Sequence, residues 1–463
     1  MKHLATPGIL VLSLMLVCCG ARTDVPPQAD PDRRLLLIGI DGAGWDAMIP
    51  LLRRGEMPHL EALVRSGYAA RLTTMAPALS PVVWTTIATG KRPAQHGIRG
   101  FLGRDPDTGE GVPVTSNMRR VSALWNILSV AGVPVSVVGW WVTWPAEEVN
   151  GTMVSPYAAP GQTTWKGSVY LDGRSDQTWP GDLLARMGPT IEQGVGKAKD
   201  SFREIFPALE NTATPDYLKA FLKDMLWVHV SDTIFRDIGA KLLEEDKPRF
   251  AAVYLGGVDV TGHRFWRFAH PSPDEWPLTG TQREAYGDSL NRYYRWTDDA
   301  IGRLVAAAPP GTTVMVVSDH GMELAHQRDR PPTDWNQYPH EISGGHTRGP
   351  DGILLFSGPG AARNFDPGWW DNGAALPRLG EAGHPGVLDV TPSLLHFFAL
   401  PVADDMTGKI RMPMFSNEIA ARSPARIETW ERPGGRPDPT PMSSPRMDEV
   451  KERLRGLGYI DCR

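Results

Sequence analysis

The chain has 463 residues, of which 41% are hydrophobic and 22% are charged. This length suits one large domain with insertions or two to three ordinary ones, and the balance is that of a globular protein. The formal net charge of −5 gives no excess of positive charge that would attract nucleic acid, so we expect no nucleic-acid partner.

The first residues predict a signal peptide of the lipoprotein type. A short basic start precedes the apolar run GILVLSLMLV (8–17), which is too short to span a bilayer comfortably. The following LVCC resembles a bacterial lipobox, in which a lipidated cysteine becomes the mature N-terminus. We expect a signal peptide over 1–19 with Cys19 lipidated, and Cys18 is the alternative site. An uncleaved anchor or an ordinary secretory signal is the other interpretation. As a lipoprotein, the chain would be exported and held on a bacterial membrane by its lipid anchor.

Residues 20–33 form a polar stretch with prolines and no apolar period, which predicts a flexible tether. The folded part of the chain should begin at LLLIGI (35–40), whose continuous apolar character is typical of a strand buried on both faces. Four similar runs follow: VPVSVVGW (133–140), FAAVYLGG (250–257), TTVMVV (312–317) and ILLFS (353–357).

Helical patterns with apolar residues on one face lie between these runs. They begin near Pro58, Ser122, Leu290 and Thr391. Strands that alternate with helices imply right-handed crossovers, so we expect an α/β fold with a mainly parallel central sheet between helix layers. The main domain should cover 34–410, with a cap inserted at about 151–248. The tail covers 411–463, in which we expect 421–446 to run over the surface without regular structure and 447–460 to form a short helix.

Polar residues follow the predicted strands, and one of them, His346, comes just before the run ILLFS. Binding groups of parallel sheets collect beyond the carboxyl ends of the strands. Three aspartates and three histidines take part: Asp41, Asp259, His263, Asp319, His320 and His346. Each alone is equally compatible with a capping or hydrogen-bonding role, and it is their joint occurrence that indicates a metal site. Carboxylates and imidazoles suit Zn²⁺ or similar ions. Six ligands are too many for one tetrahedral ion with an open position, so the set predicts two metals.

The segment ALSPVVWTTIATGKRPAQHGI (78–98) places Ser80 immediately before an apolar helical run. A Ser-Pro start is an ordinary N-cap signal, but a helix N-terminus also offers amide donors suited to phosphate. Ser80 is therefore a candidate both for a cap and for a nucleophile. Lys91 and Arg92 are candidate phosphate contacts or ordinary exposed charges.

Three tryptophans follow a predicted strand closely: Trp140, Trp141 and Trp144. They suit either the wall of a pocket or the core of the domain.

Together these segments resemble the alkaline phosphatase superfamily, specifically its type I phosphodiesterase and nucleotide pyrophosphatase branch, over roughly 34–410. The matching motifs are IDGAGWD, ALSPVVWTTIATGKRPAQHGI, VDVTGH, SDHG, GGHTRG and VLDVTPSLLHFFALPVADDMTG. The resemblance implies a metal-dependent phosphohydrolase acting on a small-molecule or head-group phosphate ester. Phosphodiesters or nucleotide pyrophosphates are favoured over phosphomonoesters.

The resemblance also implies a role for each residue. One metal would be held by Asp259, His263 and His346. The other would be held by Asp41, Asp319 and His320, with Ser80 bound to it as the nucleophile. Zinc is the expected metal and manganese the alternative. Val83 stands where many nucleotide pyrophosphatases have an Asn that helps to hold a phosphate oxygen.

Two further classes of protein compete with this one. Sulfatases share the fold, but they require Pro two residues after the nucleophile and Arg at the fourth position. Here Pro81 comes one residue after Ser80, and Trp84 takes the place of the Arg. A non-catalytic surface lipoprotein would keep the fold as a binding module. Loss of a ligand or of the nucleophile would mark such a protein, and all seven residues are present.

Overall fold

The computed structural model describes residues 27–105, 108–159, 175–214, 216–223, 225–272, 278–325, 343–381 and 383–431. The expected signal peptide, the lipidation site Cys19, tether residues 20–26 and the helix expected at 447–460 lie outside the described residues. Within the described ranges, no helix is long and apolar enough to cross a membrane.

Strands and helices alternate along most of the described chain. The strands are β1 Leu35–Ile40, β2 Gly67–Leu72, β3 Leu102–Arg104, β4 Gly111–Pro113, β5 Val135–Val138, β6 Gly151–Val154, β7 Thr178–Trp179, β8 Phe250–Leu255, β9 Thr313–Val317, β10 Glu323–Leu324, β11 Gly344–Gly345, β12 Gly352–Ser357, β13 Arg378–Glu381, β14 His384–Pro385, β15 Val402–Ala403 and β16 Arg426–Ile427. The helices are α1 Trp45–Arg53, α2 Pro58–Ser66, α3 Ser80–Thr89, α4 Pro93–His96, α5 Leu124–Val130, α6 Leu183–Ile205, α7 Asp216–Lys223, α8 Leu226–Glu245, α9 Gly257–Ala269, α10 Gly280–Tyr286, α11 Ser289–Ala307, α12 Val390–Phe397 and α13 Asn417–Ala420.

A ten-stranded sheet organises the fold, in the order β14-β13-β2-β12-β9-β1-β8-β5-β6-β7. At its centre, β1 pairs in parallel with β8 on one side and β9 on the other. The parallel arrangement continues through β5 and β6. By contrast, β12 is antiparallel to both of its neighbours, β9 and β2. The expected α/β fold with a mainly parallel central sheet is therefore confirmed.

The apolar run of β1 is buried on both faces of the sheet. Leu36 and Ile38 belong to a hydrophobic cluster that includes side chains of α8 and α11. Leu35 and Leu37 belong to a second cluster, which includes side chains of α3 and α12. A helix layer therefore covers each face, which explains why this strand shows no alternation of apolar and polar residues.

Strand β2, Gly67–Leu72, was not among the predicted strands. Its sequence, GYAARL, contains Gly and Arg, so no continuous apolar run marks it. Arg71 is accommodated because its guanidinium pairs with Asp46 at 2.6 Å. The helix expected to begin near Ser122 is α5, which begins at Leu124 with Ala123 as its N-cap.

The segment 151–248, expected to be an inserted cap, contributes to the main sheet. Strand β6 pairs in parallel with β5, and β7 pairs antiparallel with β6. Leu183 and Met187 of α6 lie in the same hydrophobic cluster as Leu36 of β1. The described part of the segment therefore completes one sheet edge and one helix layer. The four-residue strand β6 is too short to give a strong apolar signal.

The first part of the tail is packed on the domain and does not wander over its surface. Strand β16 pairs in parallel with β15. The indole of Trp430 donates a hydrogen bond to the Pro401 carbonyl at 3.0 Å. The Glu431 carboxylate accepts from the Ser122 amide and hydroxyl, each at 2.9 Å. These contacts fix residues up to 431 against α5.

The beginning of the described chain is fixed at the amino end of β1. The Asp30 amide donates to the Phe398 carbonyl at 2.9 Å. Arg33 pairs with Glu418 of α13 at 2.9 Å. The tether residues nearest the domain are therefore held beside α12 and α13.

Candidate metal centre

The sheet topology brings the predicted ligands to one edge. Asp41 follows β1, Asp259 lies two residues into α9 after β8, and Asp319 follows β9. These three strands are adjacent and parallel, so their carboxyl ends meet. His346 instead precedes its strand, β12. Because β12 runs antiparallel, its amino end lies at the same edge, and His346 joins the other ligands.

The first group contains Asp259, His263 and His346, which is the set implied for one metal. Asp259 Oδ1 lies 3.4 Å from His263 Nε2 and 3.6 Å from His346 Nε2. The two histidine Nε2 atoms are 3.1 Å apart. His263 Nδ1 lies 2.9 Å from the Gly344 carbonyl oxygen. A proton on Nδ1 satisfies that contact and leaves the Nε2 lone pair for a metal.

The second group is centred on His320. Its Nε2 lies 3.3 Å from Asp41 Oδ1, 3.4 Å from Asp319 Oδ2 and 3.9 Å from Asp259 Oδ1. Its Nδ1 lies 2.8 Å from the Gly321 carbonyl oxygen, which again directs Nε2 toward the cluster. The ligand atoms of Asp41, Asp259 and His320 all lie within 4.8 Å of one another. Asp259 Oδ1 is thus common to both groups, whereas the resemblance assigns it to one metal only.

The centre holds more buried negative charge than its histidines balance. Burial and the charge of Asp41 raise the pKa of Asp319 well above its usual value. Burial alone would lower the pKa of His320, but the charge of Asp319 and the interaction with Asp41 raise it to about 10. Asp41 is itself buried, which would raise its pKa, but interactions with His320 hold it below its usual value.

The donor atoms are those of a cation site. Among the described residues, Asp41 Oδ1, Asp319 Oδ2 and His320 Nε2 are buried without a hydrogen-bond partner. Burial and the neighbouring His320 and His263 hold the pKa of His346 well below its usual value, so this imidazole is neutral at neutral pH. Buried carboxylates that converge with imidazole nitrogens match the preferences of zinc-like ions. The residues therefore fit the implied metals.

Two donors that the sequence analysis missed hold the other oxygen of Asp41. The Trp84 indole N–H donates to Asp41 Oδ2 at 2.9 Å, and the Tyr254 hydroxyl donates to the same atom at 2.5 Å. Trp141 Nε1–H donates in turn to the Tyr254 hydroxyl at 2.8 Å. Trp140 packs edge-on against Trp84 with ring centroids 4.9 Å apart. These aromatic residues orient Asp41 so that Oδ1 faces His320.

Ser80 is the first residue of α3, and Leu79, not Ser80, is the N-cap. No side chain caps this helix, so the cap interpretation of Ser80 is not supported. Ser80 lies one turn before Trp84, and residues at this spacing share a helix face. The face that contacts Asp41 is therefore the face that carries Ser80.

The start of α3 offers fewer amide donors than expected. Pro81 has no N–H, and the amides of Val82 and Val83 both donate to the Leu79 carbonyl at 2.9 Å.

The candidate phosphate contacts Lys91 and Arg92 have other partners. The Lys91 ammonium is buried and pairs with Asp405 at 2.8 Å and Glu431 at 3.1 Å. Arg92 donates to the Gly383 carbonyl at 2.6 Å. These contacts favour structural roles for both cations.

Comparison with known proteins supports the resemblance. The family model described as type I phosphodiesterase / nucleotide pyrophosphatase matches residues 35–368. No curated protein matches the chain.

Several solved structures are similar to the chain. Phosphonoacetate hydrolase from Sinorhizobium meliloti 1021, in complex with phosphonoformate, is 20% identical with a TM-score of 0.39; the match covers 66% of this chain but only 58% of that one. Murine ectonucleotide pyrophosphatase / phosphodiesterase 5 is 12% identical with a TM-score of 0.44, over 81% of this chain and 98% of that one. The 2-O GAG sulfatase BT1596 is 12% identical with a TM-score of 0.47, and the match covers 82% of this chain and 73% of that one.

Proposed function

Since the chain belongs to the type I phosphodiesterase / nucleotide pyrophosphatase family, we propose that it is a phosphate ester hydrolase that uses Ser80 as a nucleophile at a centre of two divalent metal ions. Phosphodiesters or nucleotide pyrophosphates are the favoured substrates, and phosphomonoesters are the alternative. Zinc is the expected metal, with manganese able to substitute.

One observation carries this proposal: two groups of ligand atoms share Asp259 Oδ1 at the edge of the sheet beside the start of α3. One metal would be held by Asp259, His263 and His346. The second would be held by Asp41, Asp319 and His320, with Asp259 Oδ1 close enough to contribute. Bound divalent ions would supply positive charge for the phosphoryl oxygens and lower the pKa of a coordinated hydroxyl.

The chain's own residues then have defined tasks. The Ser80 oxygen attacks phosphorus, a Ser80–phosphorus bond forms, and the bond to the leaving oxygen breaks. Water later cleaves the Ser80–phosphorus bond and frees the hydroxyl. Trp84 and Tyr254 keep Asp41 Oδ1 directed into the centre throughout. With Val83 in place of a polar residue, substrate binding depends more on the metals and on the leaving-group side.

Substitution of Ser80 tests the proposal. With metal-loaded protein and a nitrophenyl phosphodiester, Ser80→Ala should lower the rate by several powers of ten while zinc content stays unchanged. Ser80→Thr should retain part of the activity, because it keeps a hydroxyl. A Ser80→Ala variant that binds both metals and works near the wild-type rate would show that water attacks directly.

A parallel screen of phosphomonoesters, phosphodiesters and sulfate esters addresses the substrate class. We expect diesters to be hydrolysed faster than monoesters, and sulfate esters not to be hydrolysed. Preferential hydrolysis of sulfate esters would instead support the sulfatase-like alternative.

We also propose that the chain is a lipoprotein anchored through Cys19. Acyl chains bind membranes at roughly 0.8 kcal/mol per buried CH₂, so multiple acylation would hold it firmly. Cys19→Ser should abolish labelling by fatty acid, and Cys18→Ser is the matched control. If neither substitution reduces labelling, the proposal is wrong.

A further inference from the structure

A buried carboxylate lies directly beneath the helix that carries two of the proposed ligands. Asp232, on α8, is 1% exposed. Its Oδ1 accepts the Gly256 amide and its Oδ2 accepts the Gly257 amide, each at 2.9 Å. The Tyr293 hydroxyl of α11 also donates to Oδ2, at 3.0 Å. Asp232 thus ties the start of α9 to two other helices.

We propose that Asp232 is a positioning residue of the metal centre, which sets the placement of Asp259 and His263 by holding the first amides of α9. This inference rests on the proposed two-metal function. Asp259 comes two residues after Gly257, within the first helical turn, and His263 comes one turn later. Any displacement of the helix start is therefore passed directly to both side chains.

The packing around Gly257 shows how closely this position is defined. A Cβ atom at Gly257 would lie 1.9 Å from the Tyr293 hydroxyl and 2.5 Å from Asp232 Oδ2. The close approach of the backbone to the carboxylate therefore requires glycine at this position. Neither Asp232 nor Tyr293 belongs to the proposed ligand sets, so their contacts with the helix start are separate from metal coordination.

The opposite side of Asp259 is held by the turn that follows Asp41. Gly42 has φ +73°, and a Cβ there would lie 2.7 Å from Asp259 Cα. Asp259 is thus confined between the Gly42 turn and the helix start that Asp232 holds. Because its Oδ1 is common to both ligand groups, its position affects both metals at once. A misplacement of about 1 Å in such a site can cost a factor of about 100 in rate.

The chain offers a matched control, in which a buried carboxylate holds the start of a helix that carries none of the proposed ligands. Asp298 also accepts two amides at a helix start, His59 N–H at 3.0 Å and Leu60 N–H at 2.7 Å. Asp298 is fully buried, as Asp232 is. The helix that it holds, α2, carries none of the proposed ligands. Removal of the Asp232 carboxylate affects a helix that carries proposed metal ligands, whereas removal of the Asp298 carboxylate affects a helix that carries none, so the two effects can be compared.

The experiment compares Asp232→Asn with Asp298→Asn in the full chain. Thermal unfolding without metal, zinc content and zinc affinity against a chromophoric chelator are measured, with kcat and KM. Both variants should lose stability, but only Asp232→Asn should bind zinc more weakly, by about 10- to 100-fold. At limiting zinc its kcat should fall more than its KM rises, and excess zinc should restore part of the loss.

Tyr293→Phe provides a second, milder variant should Asp232→Asn fail to fold. It removes one donor to Asp232 Oδ2 and should lower zinc affinity by a few-fold. If Asp232→Asn and Tyr293→Phe both bind zinc as tightly as Asp298→Asn does, the inference is overturned. If Asp232→Asn does not fold, wild-type zinc affinity in Tyr293→Phe overturns it. Failure of the wild-type protein itself to bind zinc would instead overturn the proposed function.

Discussion

Replacement of Tyr254 by Phe should weaken metal binding at the Asp41 side of the centre by about 10- to 100-fold. The hydroxyl that is lost donates to Asp41 Oδ2 at 2.5 Å and accepts from Trp141 at 2.8 Å, in a site where Tyr254 is only 3% exposed. A hydrogen bond to a charged group contributes about 1.5–3 kcal/mol, and each 1.4 kcal/mol is a factor of ten in affinity. The Trp84 indole remains on Oδ2, so Asp41 keeps one of its two donors. The ring itself still packs edge-on against Trp84, with centroids 5.3 Å apart.

The assay is zinc affinity by competition with a chromophoric chelator, together with zinc content and the rate of phosphodiester hydrolysis. Tyr68→Phe is the control, because it removes the hydroxyl of a buried tyrosine in β2, a strand that carries no proposed ligand. We expect Tyr68→Phe to keep the wild-type affinity. The reasoning would be refuted by a Tyr254→Phe protein that binds zinc as tightly as Tyr68→Phe and hydrolyses substrate at the same rate.

Three other perturbations follow from the same geometry. Gly42→Ala should abolish stoichiometric zinc binding, because φ is +73° and the added Cβ would overlap the backbone of Asp259; full zinc content in this variant would contradict the packing argument. Zinc binding near pH 7 should release at least one proton, because His320 has its pKa raised to about 10 and must lose its proton to bind. Affinity should therefore fall as pH falls from 10 toward 7, by about tenfold per unit; calorimetry in buffers of different ionisation enthalpy would disprove this by showing no buffer dependence. Glu431→Gln should destabilise the fold by about 1–3 kcal/mol with turnover unchanged, because the buried Lys91 loses one of its two carboxylates. Denaturant unfolding measures this loss, and a large fall in kcat with the fold intact would mean that the tail reaches the site.

His346 shows what can and what cannot be predicted about the metal ligands from the sequence. The rule that ligands collect at carboxyl ends of parallel strands places Asp41, Asp259 and Asp319 correctly. It cannot place His346, which precedes ILLFS, unless the direction of that strand is known. Parallel and antiparallel strands buried on both faces have the same apolar composition, so direction cannot be read from the run itself. The sequence therefore names His346 as a candidate ligand, but only the direction of β12 explains why it lies at the same edge as the others.

The hydrogen bonds that hold the proposed metal ligands in place could not be predicted from the sequence. Trp84 and Tyr254 meet Asp41 across separations of 43 and 213 residues. In the sequence they look like ordinary core aromatics, since nothing local marks their polar groups as donors. Asp232 is equally hidden, because its partners include backbone amides that come 24 and 25 residues later in the chain. Such partners become visible only when the fold brings distant segments together.

The position of the amino end of β1 determines where a lipid anchor would join the domain. Asp30 and Arg33 are fixed at the amino end of β1, whereas the metal centre lies beyond its carboxyl end. Six residues of strand separate the two, a distance of about 20 Å. A lipid at Cys19 would thus be joined to the side of the domain that lies opposite the metal centre.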